Sequence, residues 1–468
     1  MTKTHKGALL CYLLISALSF IYLVLPQNAG VSVPIFVLVQ FGCLCFLMPR
    51  KKPLLLFIPI FVLSLHPFIS GSRMWRVPNF FVIMLLYSIM SLCMTGSFPI
   101  KEVSPRFLGD TLENALRPVI HAAVPLKWGA ELNQSHTKLV KRIAAGVAVS
   151  VPVLGLLVVL LASADQIFSH GTAAFLARAL DIIRPDALAK AVLGLAAGFY
   201  LFGVVYSVYR PKETQPLAAK ASGGDLLVLN ILLSSMLALY TVFVAIQFKY
   251  LFAGGSSLPY GLTYTDYARR GFFELLFLTG LNILLILVAS GLTKGQSGGG
   301  AKLTIVLCCY LCVVTMVLLV SSFYRMWLYC NSDGLTRLRF LVLGFLIFEA
   351  VGLAATFFYI LKPRFNIVGV YACLALVYYL TLNVVPMDAV IAKDQVDRYF
   401  TANGTGTAYA VTLSADAAPQ IARLLNADDP VVAEMARGYF TNIREAHAAR
   451  THWQSRNLSF ERALQYGD

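Results

Sequence analysis

Eleven long apolar stretches run through this chain of 468 residues, and they constrain its fold more than any other feature. A helix of about 18–20 apolar residues crosses the roughly 30 Å hydrocarbon core of a membrane. Only a helix or a closed barrel satisfies its backbone hydrogen bonds there. The pattern predicts an all-α, polytopic helical membrane protein with a small C-terminal helical soluble domain. The predicted spans are 8–25, 31–48, 54–70, 79–95, 143–163, 187–209, 225–246, 272–292, 303–322, 340–360 and 366–385.

The composition indicates that lipid, not water, surrounds most of the chain. Charged residues make up 13% of it and hydrophobic residues 58%, whereas a soluble domain carries about 25% charged residues. A net charge of +15 would suggest nucleic acid if the protein were soluble. Here the basic residues fall mainly in loops, where they set topology and contact anionic headgroups. We therefore expect membrane lipids, and no nucleic acid, as partners.

Lysine and arginine are divided unevenly between the two sets of loops. With the N-terminus in the cytoplasm, the cytoplasmic loops carry about twice as many basic residues as the opposite loops, which the positive-inside rule favours. An odd number of spans then places the C-terminal domain outside the cytoplasm. The predicted segments are an N-terminal four-helix membrane segment (1–95), a cytoplasmic basic loop (96–142), a seven-helix membrane core (143–385) and a C-terminal extramembrane helical domain (386–468).

Two of the loops predicted to lie outside contain more arginine than such loops usually do. Gly-Leu-Thr precedes arginine in both, at 261–263 and at 334–336, and a membrane span follows each motif. Gly and Thr are typical of a turn that leads into a helix N-cap. The arginines either anchor the loops to lipid phosphate or form an outward-facing site for an anionic ligand. They are Arg269, Arg270, Arg325, Arg337 and Arg339.

Polar side chains inside the predicted spans form a second set of candidates, because they are costly in lipid and often functional. Glu274 follows Arg270 by four residues, so an ion pair along the helix would neutralise both charges. Asn282 lies two turns further along, close to the same face. Glu349 lies near the centre of its span without a local partner. It is either a proton-relay or substrate group, or a buried acid bonded to a neighbour. The candidate neighbours are Lys190, Asn282 and Asn383.

Local signals predict several smaller features. Asp429 before Pro430 predicts an N-cap and a helix that continues to about Ala449. Ser459 precedes a last short helix, FERALQ. Segment 110–123 has apolar residues at helical spacing and is either an interfacial helix or an ordinary connector.

A pair of glycines, Gly194 and Gly198, lies in the sixth span. Glycines at this spacing indicate close helix packing, and a dimer face is the weaker alternative.

Motifs of enzymes and of cofactor sites are missing from the sequence. It contains no P-loop, no dinucleotide-binding glycine pattern, no HExxH and no GxSxG. The nine cysteines show no spacing suited to zinc. We therefore predict no catalytic residue, no metal and no cofactor, and we favour a non-enzymatic role.

Several segments resemble a known family of bacterial multi-pass membrane proteins. They are RMWLYCNSDGLTRLRF (325–340), YGLTYTDYARRGFFEL (260–275), LLASADQIF (160–168), LSADAAPQIARL (413–424) and NLSFERAL (457–464). The family is known as domain of unknown function four-one-seven-three, with a related four-one-five-three group. The resemblance covers roughly residues 143–468. It implies a location in the bacterial cytoplasmic (inner) membrane, and it implies no activity.

Three functions remain open on the sequence. The first is a carrier or a sensing and assembly component with an outward-facing site for an anionic or lipid-linked ligand. The second is a scaffold that recruits a protein partner through its C-terminal domain. The third is a membrane enzyme acting on a lipid-linked substrate, with Asp266, Glu274 or Glu349 as acid or base.

Overall fold

The computed structural model describes residues 3–25, 30–47, 52–95, 107–132, 150, 185–209, 225–247, 272–293, 296–362, 366–402 and 407–467. All regular elements in these ranges are helical. The α-helices are α1 (Lys3–Leu23), α2 (Ser32–Leu47), α3 (Phe57–Ile69), α4 (Arg76–Thr95), α5 (Phe107–His121), α6 (Val124–Leu132), α7 (Pro185–Tyr209), α8 (Leu226–Gln247), α9 (Phe272–Thr293), α10 (Gly299–Asp333), α11 (Arg337–Leu361), α12 (Ile367–Val384), α13 (Met387–Ala402), α14 (Thr407–Ala410), α15 (Ala418–Ile421), α16 (Pro430–Ala448) and α17 (Leu458–Leu464).

The long apolar helices confirm the predicted fold class. Within the described ranges, 8 helices are long and apolar enough to cross a membrane: α1, α4 and α7 to α12. The second and third predicted spans correspond to the shorter apolar helices α2 and α3. The predicted span 143–163 lies outside the described residues. The chain is an all-α, multi-pass integral membrane protein.

Apolar side chains on the outer surfaces of these helices face the surroundings of the protein. On α8, Leu227 is 69% exposed and Leu239 67% exposed. In water such a surface would be unfavourable, because apolar area exposed to water costs free energy. Hydrocarbon removes that cost, and the helices satisfy their own backbone hydrogen bonds within it. Lipid contact therefore explains both the exposure and the helical form.

A first bundle is formed by α1 to α5 and α7, with α1 packed closely on α7. The predicted close approach at the glycine pair is confirmed and occurs within the chain. A Cβ at Gly198 would lie 2.8 Å from Cβ of Ala17 and 2.9 Å from the carbonyl oxygen of Leu13. One at Gly194 would overlap the side chain of Ile21. The two glycines therefore let α1 and α7 approach more closely than larger residues would.

A second bundle is formed by α8 to α12 around buried residues such as Leu233, Ile286 and Leu311. Its α10 has 35 residues, about 52 Å at 1.5 Å per residue, and so extends beyond a hydrocarbon core of roughly 30 Å. The sequence predicted a loop from residue 323, but the helix continues to Asp333. That prediction was wrong because the polar end of a helix that leaves the membrane resembles a loop in composition.

The two bundles are joined by a half-buried polar contact between α4 and α12. The side-chain amide of Asn79 donates to Oδ1 of Asn383 at 2.8 Å. The hydroxyl of Tyr379 donates to Oδ1 of Asn79 at 2.7 Å. Asn383, which the sequence offered as a partner of Glu349, is instead part of this contact. The contact fixes the second bundle against the first near the C-terminal end of α12.

Residues 387–402 and 407–467, which we call the cap, form a small helical layer with a core of their own. Ile391, Ile421 and Phe440 are among its buried side chains. The predicted helix N-cap at Asp429 is confirmed, since the Asp429 carboxylate accepts from the backbone N–H of Val431 at 2.8 Å. The last helix, α17, begins earlier than predicted.

The N-cap of α17 is Asn457, so the helix includes Ser459, which the sequence analysis placed just before it. Its side-chain oxygen accepts from the backbone N–H of Phe460 at 3.1 Å.

Segment 110–123, for which two interpretations were open, forms most of α5. One side of α5 packs on α7, where Tyr200 donates its hydroxyl to the carbonyl oxygen of Ala115 at 3.3 Å. The opposite side exposes Leu112, Leu116 and Val119. An apolar face left open on a helix of this kind favours the interfacial interpretation.

Candidate functional site

The cap is bound to both bundles at one end of the membrane helices. Its partners in the first bundle are the segments just before α2 and just after α3, and in the second bundle the turn between α10 and α11. These connections lie at the same end when successive helices alternate in direction. The backbone contacts are Gly30 N–H to Gln454 O at 2.8 Å and Val31 N–H to Arg456 O at 3.0 Å.

Side chains of the cap complete this interface. Asp416 accepts from the hydroxyl of Ser70 at 2.5 Å and from the N–H of Gly71 at 3.1 Å. Asn457 donates to the carbonyl oxygens of Pro67 and Ser70, each at 2.8 Å. Both cap residues therefore bind the C-terminal end of α3.

Arg337, one of the predicted site residues, binds the cap. Its Nε donates to Oδ1 of Asp388 at 2.8 Å and its Nη2 to Oδ2 at 2.7 Å. The Asp388 side chain is only 1% exposed, and that of Arg337 is 33% exposed. Burial alone would raise the pKa of Asp388, but hydrogen bonds from Arg337 and Ser414, together with the Arg337 charge, bring it below its ordinary value.

Arg339 and Arg325 lie close to the same end of the second bundle. Arg339 lies over the ring of Tyr329, 3.7 Å from its centroid, and donates to the carbonyl oxygen of Gly334. Its Nη2 is 3.5 Å from a carboxylate oxygen of Asp333. Arg325 is buried on α10. The guanidinium groups of Arg337 and Arg339 are thus engaged within the protein, and Arg269 and Arg270 lie outside the described residues.

The predicted turn before α11 is confirmed at its Thr. Thr336 is the N-cap of α11, since its hydroxyl accepts from the N–H of Arg339 at 3.4 Å. Gly334 has φ of +77°, a backbone conformation that side-chain-bearing residues rarely adopt. The equivalent motif at 261–263 lies outside the described residues.

Two of the three intramembrane polar residues lie in the interior of the second bundle. Asn282 accepts from the hydroxyl of Tyr240 and donates to Oγ1 of Thr315, both at 3.1 Å. It therefore ties α8, α9 and α10 together. Glu274 is exposed in the first turn of α9.

Glu349 is 4% exposed and lies between α11 and α9. Its Oε1 accepts from the hydroxyl of Thr279 at 2.7 Å. Within the described residues, its buried Oε2 has no hydrogen-bond partner. The bonded neighbour is thus Thr279, rather than any of the three that the sequence suggested. An ionised carboxylate in this surrounding would cost several kcal/mol or more.

A group of three arginines that the sequence did not single out lies where the cap meets the first bundle. We call Arg73, Arg76 and Arg450 the basic cluster. Burial, together with the smaller effect of the charges of Arg76 and Arg73, lowers the pKa of Arg450 to about 10. None of the three forms an ion pair with a carboxylate among the described residues, and the buried Nε atoms of Arg76 and Arg450 have no hydrogen-bond partner there.

Arg450 is held in the basic cluster by the cap itself. Its Nη1 donates to the carbonyl oxygen of Ser455 at 2.9 Å, and its guanidinium lies 4.2 Å from the ring centroid of Phe460. Arg73 is exposed and Arg76 half-buried at the start of α4. An excess of arginine in the loop 72–76 was the sequence signal for two of them. Nothing in the pattern linked that loop to Arg450.

Metal binding has no support in the part of the chain that the structure describes. No group of three or more His, Cys, Asp or Glu side chains there could hold a metal ion.

A family model described as "Domain of unknown function (DUF4153)" matches residues 57–424. The chain belongs to this family. It is the four-one-five-three group that the sequence resemblance named as the related one, and the match includes most of both bundles and the first half of the cap. No curated protein and no solved structure matches the chain.

Proposed function

We propose that the protein is a non-enzymatic sensing or assembly component of the membrane. In this proposal it binds the anionic headgroup of a lipid or of a lipid-linked ligand where the cap meets the first bundle. The binding residues are those of the basic cluster, Arg73, Arg76 and Arg450. One observation carries the proposal: three arginines from two parts of the fold repel one another electrostatically and have no carboxylate partner among the described residues.

Like charges on the two sides of an interface oppose its formation. Arg450 belongs to the cap, and Arg73 and Arg76 belong to the first bundle. A phosphate placed among them would replace the repulsion with charge-assisted hydrogen bonds, which guanidinium groups form in bidentate geometry. Ligand binding would therefore favour the docked cap. A ligand that binds only one of two states shifts the equilibrium towards that state.

The proposal is tested with the full chain in nanodiscs. Discs of phosphatidylcholine alone are compared with discs that also contain phosphatidylglycerol, and the thermal unfolding midpoint of the protein is measured in each. We expect the anionic lipid to raise the midpoint and added salt to reduce the gain, because salt screens exposed charges. Arg73→Gln, which changes an exposed residue, should lose most of the gain.

The matched control is Lys393→Gln, which removes an exposed positive charge from α13 in the cap. It should respond to phosphatidylglycerol as the wild type does. An equal gain in the wild type and Arg73→Gln would mean that the lipid acts on the protein elsewhere, and the proposal would fail.

A carrier is the second proposal, and the position of Glu349 favours it. The carboxyl lies deep in the second bundle, with Oε2 lacking a hydrogen-bond partner within the described residues. Intramembrane acids of this kind mark proton or substrate pathways in many transporters. The test is the flux of protons or substrate into proteoliposomes that contain the protein. A flux in Glu349→Gln equal to that of the wild type would contradict this role.

A further inference from the structure

A cavity of about 380 Å³ lies between the first bundle, the end of α12 and the cap. Its volume is within the range of small-molecule sites, roughly 300–1,000 Å³. One wall is apolar and comes from the membrane helices, with Val62, Leu65 and Ile69 on α3 and Val384 on α12. The cavity therefore has an apolar wall from the membrane helices and an opposite wall from the cap.

The polar part of the cavity contains two buried groups with unused hydrogen-bonding capacity. His66 is 5% exposed and Ser459 is 6% exposed. Nδ1 of His66 and Oγ of Ser459 have no hydrogen-bond partner within the residues that the structure describes. Both side chains line the cavity. Buried polar atoms are usually satisfied, so two such atoms in one cavity indicate that a ligand completes them.

One basic side chain at the cavity can bind an anion. Asp416 lines it, but its carboxylate already accepts from Ser70, Gly71 and Ser414. Arg462 also lines it, is exposed, and forms no ion pair with any described carboxylate. The hydrogen-bonding capacity of the Asp416 carboxylate is therefore used within the protein, whereas the guanidinium of Arg462 is available to a ligand.

We infer that this cavity binds an alkyl phosphate, with the phosphate near Arg462 and Ser459 and the alkyl chain against α3 and α12. The hydroxyl of Ser459 and a protonated nitrogen of His66 donate to phosphate oxygens, and Arg462 adds charge-assisted bonds. The site shares no residue with the basic cluster, and its occupancy does not depend on the function proposed above.

The test uses the full chain in phosphatidylcholine nanodiscs and a dodecyl phosphate that carries a photoreactive diazirine in its chain. Labelled peptides are identified by mass spectrometry. We expect labelling in 62–69 and 383–386. Ser459→Ala and Arg462→Gln should each raise the probe concentration for half-maximal labelling about tenfold, because each loses a bond to a charged group. Val384→Trp, at an exposed position of the wall, should block labelling.

The matched control is Arg437→Gln, which removes an exposed arginine from α16, a helix that does not line the cavity. It should label as the wild type does. Thermal unfolding of each variant checks that the fold is retained.

Competition separates the sources of the phosphate. Phosphatidic acid in the disc or free dodecyl phosphate in solution should reduce labelling, and the stronger competitor identifies a bilayer lipid or a soluble amphiphile. Inorganic phosphate competing equally well would overturn the need for an alkyl chain. Equal labelling by the corresponding diazirine alcohol, or unchanged labelling in Arg462→Gln and Val384→Trp, would overturn the anionic site.

Discussion

Arg337 and Asp388 connect the first turn of a membrane helix to the first turn of the cap through two parallel hydrogen bonds, 2.8 and 2.7 Å long. Asp388 also accepts from the N–H of Ser414 at 3.0 Å. One carboxylate therefore holds α11, α13 and the segment before α15. Because it is almost fully buried, removing its partner would leave an uncompensated charge.

The first prediction concerns this pair. Arg337→Ala should weaken cap docking by about 2–3 kcal/mol. The Asp388 charge that remains is buried, although Arg337 itself is partly exposed. Hydrogen–deuterium exchange in residues 387–402 measures the effect. The control is Asp397→Asn, which breaks the exposed pair with Arg423 and should change the free energy by about 0.5 kcal/mol or less. Equal effects would show that the buried pair has no special role.

The second prediction is a pH dependence of cap docking. The pKa of Asp388 lies below its ordinary value of 3.8 in the folded protein. Its contribution is therefore fully present above that value and is lost as the pH falls from there through the lower folded pKa. Protection factors of the cap amides, which correct for the pH dependence of intrinsic amide exchange, should fall in this window as the pH is lowered. Asp388→Asn should lack that component, and an identical acid profile in the two proteins would refute the prediction.

The fold was predictable where its signal is local. The lengths of the apolar stretches predicted the membrane-spanning helices. A Thr or an Asp just before a helix predicted the helix N-caps at Thr336 and Asp429. Two local predictions failed for physical reasons. The polar end of α10 lies outside the hydrocarbon core and resembles a loop. The predicted start of α17 was two residues late, because Asn457 and Ser459 are both residue types that form N-caps and local sequence does not decide where the helix begins.

The contacts at the candidate sites were not predictable, because they join residues far apart in the chain. Arg337 and Asp388 are 51 positions apart, and Glu349 and Thr279 are 70 apart. Arginines in a loop give no indication of whether they face lipid, ligand or another part of the protein. Only the packing of the cap on the first bundle brings Arg450 to the loop that carries Arg73.

The third prediction concerns the turn before α11. A Cβ at Gly334 would lie 2.6 Å from Nε2 of Gln395, and φ there is +77°. Gly334→Ala should therefore destabilise the protein by about 1–3 kcal/mol. Gly291→Ala is the control, because a Cβ there meets no atom within 4 Å and alanine favours a helix by up to about 1 kcal/mol. Thermal unfolding in one detergent compares the two, and equal midpoints would be inconsistent with the strained turn.

The fourth prediction concerns the hydrogen bond between Thr279 and Glu349. Thr279→Val removes the donor and leaves Oε1 of the buried acid unsatisfied, at a cost of about 1–3 kcal/mol. Thr279→Ser retains the hydroxyl and should cost less. Unfolding of both variants in the same detergent measures the difference. Equal stability of Val and Ser variants would mean that the hydrogen bond contributes nothing.

The central claim is that an anionic headgroup in the basic cluster favours the docked cap. The most direct measurement is hydrogen–deuterium exchange of the amides of Gly30 and Val31, which donate to carbonyl oxygens of the cap. It is made in nanodiscs with and without phosphatidylglycerol. We predict slower exchange with the anionic lipid in the wild type and little change in Arg73→Gln. Exchange that is insensitive to the lipid in the wild type, or slowed equally in both proteins, would contradict the claim.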